Sequence, residues 1–223
     1  MVTIRYIAYL AGTPAADEAA FARAKIDANF SNYSAWHHRS TVLRKAQAEA
    51  APSEATAPAV DTILARCSGP LCAPAPAGDA LGPPLSADVL SSEFELVTQA
   101  FYTEPEDQAA WFYHDWLLGQ ALECAAHVSA SDLTWPVARE LLVKQADTCR
   151  QLCELEPTCR WPPLTLVRIL RAITEGEAAC GDGGDDTALM REARELLTAL
   201  AARDTMRRGF YTDLLAELTE PNA

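Results

Sequence analysis

The sequence predicts an all-α protein, an α-α superhelix of stacked antiparallel helical hairpins, and three observations support this. Apolar residues recur at helical spacing in several segments, whereas the alternating patterns typical of strands are nearly absent. Pro14, Pro105 and Pro157 each lie near a predicted helix start, where a missing N–H costs least. Three segments centred on tryptophan share one frame, which indicates a repeated unit.

The apolar spacing and the breakers together predict nine helices. They lie near residues 3–11, 15–28, 32–47, 87–102, 107–129, 134–155, 159–175, 187–203 and 205–219. The clearest apolar stripe consists of Leu90, Phe94, Val97 and Phe101, whose spacing places four side chains on one helix face. The same spacing recurs at Leu189, Ala193, Leu196 and Leu200, and a weaker stripe is formed by Leu141, Leu152 and Leu155.

A segment rich in alanine and proline interrupts the repeats. Residues 48–86 contain few large apolar side chains, so we expect a long disordered loop there. This divides the chain into residues 1–47, which form partial repeats, the loop 48–86, and residues 87–220, which form further repeats. Cys67 and Cys72 lie within the loop without a second pair nearby, which argues against a metal site.

Charge and cysteine content exclude several classes of protein. With 31 acidic and 18 basic residues the formal net charge is −13, which argues against nucleic-acid binding. The sequence has no run of 18 apolar residues, so we predict no membrane span. Seven cysteines at irregular spacing, without a secretion signal, indicate a reduced and therefore cytoplasmic compartment.

Each tryptophan-centred segment follows one predicted helix and opens the next. The tryptophans are Trp36, Trp111 and Trp161, and each indole is expected to fill the gap between the two helices of its hairpin. A single hairpin cannot cover its own apolar face, so neighbouring hairpins must stack to complete the core. The spacing between the tryptophans is unequal because residues 48–86 lengthen the first interval.

The amino-acid sequences of these segments resemble the alpha-subunit repeat family of protein prenyltransferases. The resemblance is greatest to the Rab geranylgeranyltransferase members of that family. The resemblance rests on the string Asn29-Phe-Ser-Asn-Tyr-Ser-Ala-Trp-His-His-Arg39 and on Phe101-Tyr-Thr-Glu-Pro-Glu-Asp-Gln-Ala-Ala-Trp-Phe-Tyr-His114. It extends through Cys153-Glu-Leu-Glu-Pro157 with Trp161, and through the segment from Arg203 to Asp213. It covers nearly all of the sequence outside the alanine- and proline-rich loop.

The resemblance implies an activity that needs other subunits. Family members transfer a geranylgeranyl group from geranylgeranyl diphosphate to C-terminal cysteines of Rab GTPases. The alpha subunit forms a crescent around a catalytic beta subunit, which holds zinc and most of the lipid pocket, and a Rab escort protein presents the substrate. We therefore expect a prenyltransferase beta subunit, a Rab escort protein and a Rab GTPase as partners. No catalytic residue, cofactor or metal ligand is expected in this chain.

The resemblance also places candidate binding residues ahead of and after the first repeat tryptophan. They are expected at the beta-subunit interface or the rim of its active site, and are Asn29, Ser31, Asn32, Tyr33, Trp36 and Arg39. Two interpretations stay open, because polar residues at a helix start also cap the helix. Arg39 in particular could hydrogen-bond within its repeat or reach a carboxylate across the interface.

Departures from the family pattern leave a second interpretation open. The sequence begins in what resembles the second helix of an earlier repeat, so we expect an incomplete gene model or a fragment. Asp115 stands where relatives usually carry arginine, before Trp116, and His114 takes the frame position of Arg39. The alternative is a helical-repeat scaffold without enzymatic function that binds another partner.

Overall fold

The computed structural model describes residues 12–50, 85–126, 134–180 and 186–218. Within these ranges the regular structure consists of eight α-helices and one short 3-10 helix, and it contains no strand. The all-α helical-repeat prediction is therefore confirmed. The helix predicted near 3–11 and most of the loop predicted at 48–86 lie outside the described residues.

The chain separates into two compact units, Met1–Thr134 and Trp135–Ala223. The first unit contains two hairpins, in which α1 pairs with α2 and α3 pairs with α4, and α2 also packs on α4. The helices are α1 (Ala15–Ala28), α2 (Tyr33–Ala50), α3 (Ala87–Thr103) and α4 (Gln108–Ala126). Ser86 begins α3 as its N-cap, because its hydroxyl accepts a hydrogen bond from the Val89 N–H at 3.4 Å.

The apolar stripe of α3 forms the centre of the second hairpin. Leu90, Phe94, Val97 and Phe101 are each at most 2% exposed, as the helical spacing predicted. The rings of Phe101 and Trp111 stack with centroids 3.6 Å apart, so the stripe closes directly on the repeat tryptophan.

The second unit is built from consecutive helices, each packed on the one before it. They are α5 (Trp135–Leu155), α6 (Trp161–Cys180), α7 (Asp186–Arg203), a 3-10 helix (Thr205–Arg207) and α8 (Arg208–Glu217). Arg150 of α5 joins α7 through a two-pronged ion pair, with both nitrogen–oxygen distances to Glu192 at 2.8 Å. Of the helices that the structure describes, none combines the length and apolar character needed to cross a membrane.

Two sequence expectations for this unit were wrong in detail. Leu155 is 64% exposed because it is the last residue of α5, where the chain turns away from the core. In α7 the fully buried leucines are Leu197 and Leu200, whereas Leu189 and Leu196 are only half-buried. The α7 core face is therefore rotated from the predicted stripe and runs through Ala193, Leu197 and Leu200.

Candidate functional site

Two repeat tryptophans hold their turns in the same way. Trp36 and Trp111 are each 1% exposed. The Trp36 indole N–H donates to the Phe30 carbonyl at 2.7 Å, and the Trp111 indole N–H donates to the Pro105 carbonyl at 2.9 Å. Each acceptor lies six residues before its tryptophan, so the indole fixes the turn that precedes its own helix. Trp161 is also buried, at 7% exposure, and the Arg160 guanidinium lies 4.4 Å from its ring centroid.

The polar residues ahead of Trp36 satisfy the backbone of the α1–α2 turn. The Asn29 side-chain oxygen accepts the Ser31 N–H at 3.0 Å, and the Asn32 side-chain oxygen accepts the Ala35 N–H at 3.2 Å. Asn32 is therefore an N-cap of α2, which satisfies a helix-start donor that would otherwise need water. The capping interpretation thus describes the geometry of Asn32, whereas Asn29 closes the preceding turn through the Ser31 N–H.

Tyr33 presents an aromatic ring to solvent beside this turn. Its side chain is 53% exposed, and its ring stacks in parallel on His37 one helical turn later, with centroids 6.2 Å apart. His37 is exposed as well. The pair forms an accessible, flat aromatic surface at the first turn of α2, directly beside the capped turn. Amphipathic rings held in one orientation suit contacts with another protein.

Arg39 is buried and joins the two hairpins of the first unit. Its Nε donates to Glu93 Oε2 at 2.8 Å, its Nη2 donates to the other carboxylate oxygen, and its Nη1 donates to the Ala19 carbonyl at 2.7 Å. The Tyr113 hydroxyl donates to Glu93 Oε2 at 2.6 Å. Arg39, Glu93 and Tyr113, which we call the buried triad, are only 7%, 2% and 3% exposed. The guanidinium therefore uses its donors within this chain.

The buried triad is not suited to proton transfer near neutral pH. Burial, reinforced by the Glu93 charge, raises the pKa of Tyr113 well above its usual value. Burial alone would lower the pKa of Arg39, but the hydrogen bonds and charge of Glu93 outweigh it and raise that pKa. The tyrosine thus stays neutral and the guanidinium stays charged, which is the behaviour of a structural link.

Both hairpins of the first unit are similar to a repeat of known proteins. Residues 15–46 and 90–121, which cover most of the α1–α2 and α3–α4 hairpins, match the model of the protein prenyltransferase alpha subunit repeat. These two hairpins are thus similar to the alpha-subunit repeats of protein prenyltransferases. Both matched segments include the repeat tryptophan and its indole–carbonyl bond.

Curated relatives carry the same kind of name. The pig and human proteins called geranylgeranyl transferase type-2 subunit alpha are each 40% identical over 146 residues, which is 62% of this chain and 21% of theirs. The protein of that name from Schizosaccharomyces pombe is 25% identical over 208 residues, covering 92% of this chain and 51% of its own. The chain thus matches about a fifth of the mammalian relatives and about half of the yeast protein.

Sequence reasoning missed two members of the buried triad in this alpha-subunit repeat. Glu93 lies between Leu90 and Phe94 in the apolar stripe of α3, where its charge carried no assigned role. Tyr113 lies in the second tryptophan-centred segment, where the sequence prediction assigns a role only to Trp111. A glutamate next to an apolar helix stripe could have predicted a buried ion pair, because a buried charge requires a partner.

The second unit contains a small cavity of about 100 Å³ between the α5–α6 turn and α7. Cys153, Cys159 and Arg203 are among the residues that line it. Arg203 donates to the carbonyls of Pro157 and Cys159, so its charge is engaged by the turn. Across the described parts of the chain, no three His, Cys, Asp or Glu side chains lie together in a way that could hold a metal ion.

Cys153 is expected to react slowly despite lining this cavity. Burial raises its pKa to about 11, against the opposing effect of Arg203, so little thiolate is present at pH 7.5. We expect iodoacetamide to modify Cys153 at least about tenfold more slowly in the native chain than in urea. Peptide mass spectrometry over a time course measures both rates, and equal rates would contradict the assignment.

Proposed function

We propose that this chain acts as all or part of the alpha subunit of a type-2 protein geranylgeranyltransferase. In this proposal the enzyme transfers geranylgeranyl from geranylgeranyl diphosphate to C-terminal cysteines of Rab GTPases. The supporting observation is the α1–α2 turn, which is fixed by the Trp36 indole and displays Tyr33 beside it. The names of the relatives, which include one that matches 92% of this chain, support the reaction type.

The chemistry in this proposal belongs to a catalytic beta subunit. That subunit would hold zinc, which promotes formation of the attacking cysteine thiolate near neutral pH. A Rab escort protein would present the Rab GTPase, and the assembly would work in the cytoplasm. The part contributed by this chain is a rigid helical surface for the beta subunit. Its described side chains bind and orient, and we assign none of them to bond making or breaking.

The candidate residues divide into two roles under this proposal. Tyr33, with His37 stacked on it, would contact the beta subunit because both rings are exposed at the first turn of α2. Asn29, Ser31, Asn32 and Trp36 would shape the turn that holds Tyr33 in place. Arg39 would act only indirectly, by fixing α2 against the next hairpin through Glu93.

Replacing Tyr33 by alanine should therefore weaken the complex without unfolding the chain. We expect the affinity for a type-2 beta subunit to fall about tenfold, as for an aromatic contact at an interface, with helix content unchanged. Phe21→Ala is the matched control, because Phe21 is 49% exposed on α1 of the same hairpin. Titration of each variant with the beta subunit, together with circular dichroism, gives both readouts.

Transfer of labelled geranylgeranyl to a Rab GTPase, with escort protein and beta subunit present, tests the reaction itself. Formation of labelled Rab that depends on this chain is expected. Absence of binding to any prenyltransferase beta subunit would instead favour the non-enzymatic scaffold. Equal affinity of wild-type and Tyr33→Ala chains, with transfer intact, would remove Tyr33 from the interface while leaving the function standing.

A further inference from the structure

Two exposed apolar side chains lie on adjacent turns of the second unit. Met206, in the 3-10 helix before α8, is 93% exposed, and Leu155, at the end of α5, is 64% exposed. No other large apolar side chain that the structure describes is as exposed as these two. The turns that carry them are joined, because Arg203 at the end of α7 donates hydrogen bonds to the carbonyls of Pro157 and Cys159.

The charges beside these two side chains are of opposite sign. Leu155 lies between Glu154 and Glu156, and we call residues 154–156 the acidic segment. Met206 is followed by Arg207 and Arg208, and we call residues 206–208 the basic segment. All four charged residues are exposed. One surface of the second unit therefore displays an apolar side chain with negative neighbours next to an apolar side chain with positive neighbours.

The two segments do not neutralise each other within the chain. Among the described residues neither glutamate of the acidic segment makes an ion pair. Arg208 donates to the Ala201 carbonyl at 3.2 Å, which leaves its charge without a carboxylate. Arg207 is paired with Asp204 at 3.0 Å, in an exposed ion pair of the kind that contributes little to stability. Opposite charges are thus available on both segments for a partner.

We infer that this surface binds the same surface of a second copy of the chain across a two-fold axis. A two-fold interface requires a patch that is complementary to itself, since every contact occurs twice. The acidic segment of each copy would lie against the basic segment of the other, with Leu155 and Met206 at the apolar centre. Methionine and arginine are both enriched at protein interfaces. This inference concerns self-association and does not rest on the proposed transferase function.

Sedimentation velocity of the full chain, in buffer with a reducing agent, measures the association. We expect a dimer with a Kd on the order of 10 µM at low salt, as for a small interface made by short segments. Raising NaCl from about 50 mM to about 500 mM should weaken the dimer about tenfold, because its charge pairs are at the rim. A chain that stays monomeric at about 200 µM and low salt would overturn the inference.

Charge reversal tests which segments meet. Glu154→Lys with Glu156→Lys reverses the acidic segment, and Arg207→Glu with Arg208→Glu reverses the basic segment. Each double variant alone should bind itself at least about tenfold more weakly than the wild-type chain, because like charges then meet twice across the axis. A mixture of the two double variants should associate as tightly as the wild-type chain, because every contact then joins opposite charges again.

Two further variants separate this surface from general effects of charge. Glu195→Lys is the matched control, because Glu195 is exposed on α7 outside both segments, and it should leave the Kd unchanged. Met206→Ser alters no charge and should weaken the dimer about threefold or more by removing an apolar contact. Circular dichroism checks that all variants keep their helix content. Reversed variants that each self-associate at wild-type strength, or a mixture of helical variants that fails to associate, would overturn the inference.

Discussion

Replacing Glu93 by alanine is expected to lower the free energy of unfolding by about 3–5 kcal/mol, the range for breaking one partner of a buried ion pair. Glu93 is 2% exposed and accepts hydrogen bonds from Arg39 and Tyr113. Without the carboxylate, the Arg39 guanidinium stays buried beside the Ala19 carbonyl but loses its counter-charge in this cluster. An uncompensated buried cation is far costlier than the loss of an exposed pair.

Urea denaturation monitored by circular dichroism measures this loss. Glu95→Ala is the matched control, because Glu95 is an exposed glutamate on the same helix and should change stability by less than about 0.5 kcal/mol. Adding Arg39→Met to Glu93→Leu should recover much of the stability, since apolar residues of similar size can replace a buried pair. A Glu93→Ala loss below about 1 kcal/mol would contradict the buried triad.

The helices were predictable because their signals are local. In α3 the stripe from Leu90 to Phe101 repeats with helical period, and all four side chains are buried. The end of α5 was harder, since Leu155 fits the apolar period and yet is 64% exposed. Apolar periodicity predicts which face of a helix is buried, but it does not predict the residue at which the neighbouring helices stop covering that face. That information resides in the turn that follows, at residues 156–160.

The pairing within the buried triad could not be predicted from spacing. Arg39 and Glu93 are 54 residues apart, on either side of the alanine- and proline-rich segment. No local rule specifies which carboxylate faces a given arginine after two hairpins stack. The family resemblance identified Arg39 as a candidate residue of the repeat but did not identify its hydrogen-bond partner. Only the packing of α2 on α4, with Trp36 against Tyr113, sets the register that brings the charges together.

This arrangement has a consequence for functional tests. Arg39 and Tyr33 lie on the same helix, but Arg39 is 7% exposed and Tyr33 is 53% exposed. A substitution at Arg39 disturbs stability and the position of α2 at once, whereas one at Tyr33 changes mainly the surface. Loss of activity on Arg39→Ala would therefore report hairpin stacking, and the beta-subunit contact is better examined through Tyr33 and His37.

In the second unit, Gly176→Ala is expected to lower the free energy of unfolding by about 1–3 kcal/mol, the range for overpacking a close contact. A Cβ atom at Gly176 would lie well inside van der Waals distance of three carbons of the Trp135 ring. The ring of α5 therefore packs directly on the backbone of α6. Alanine normally favours a helix over glycine by about 1 kcal/mol, so a loss here would reverse the usual sign.

Gly119→Ala is the matched control for this reversal. Gly119 is also helical, it is exposed in α4, and a Cβ there would meet nothing within 4 Å. We expect Gly119→Ala to raise the free energy of unfolding by about 0.5–1 kcal/mol. Trp135→Ala should remove most of the cost of Gly176→Ala, because the two effects share one contact and cannot add. Stabilisation by Gly176→Ala would mean that the indole does not lie on α6.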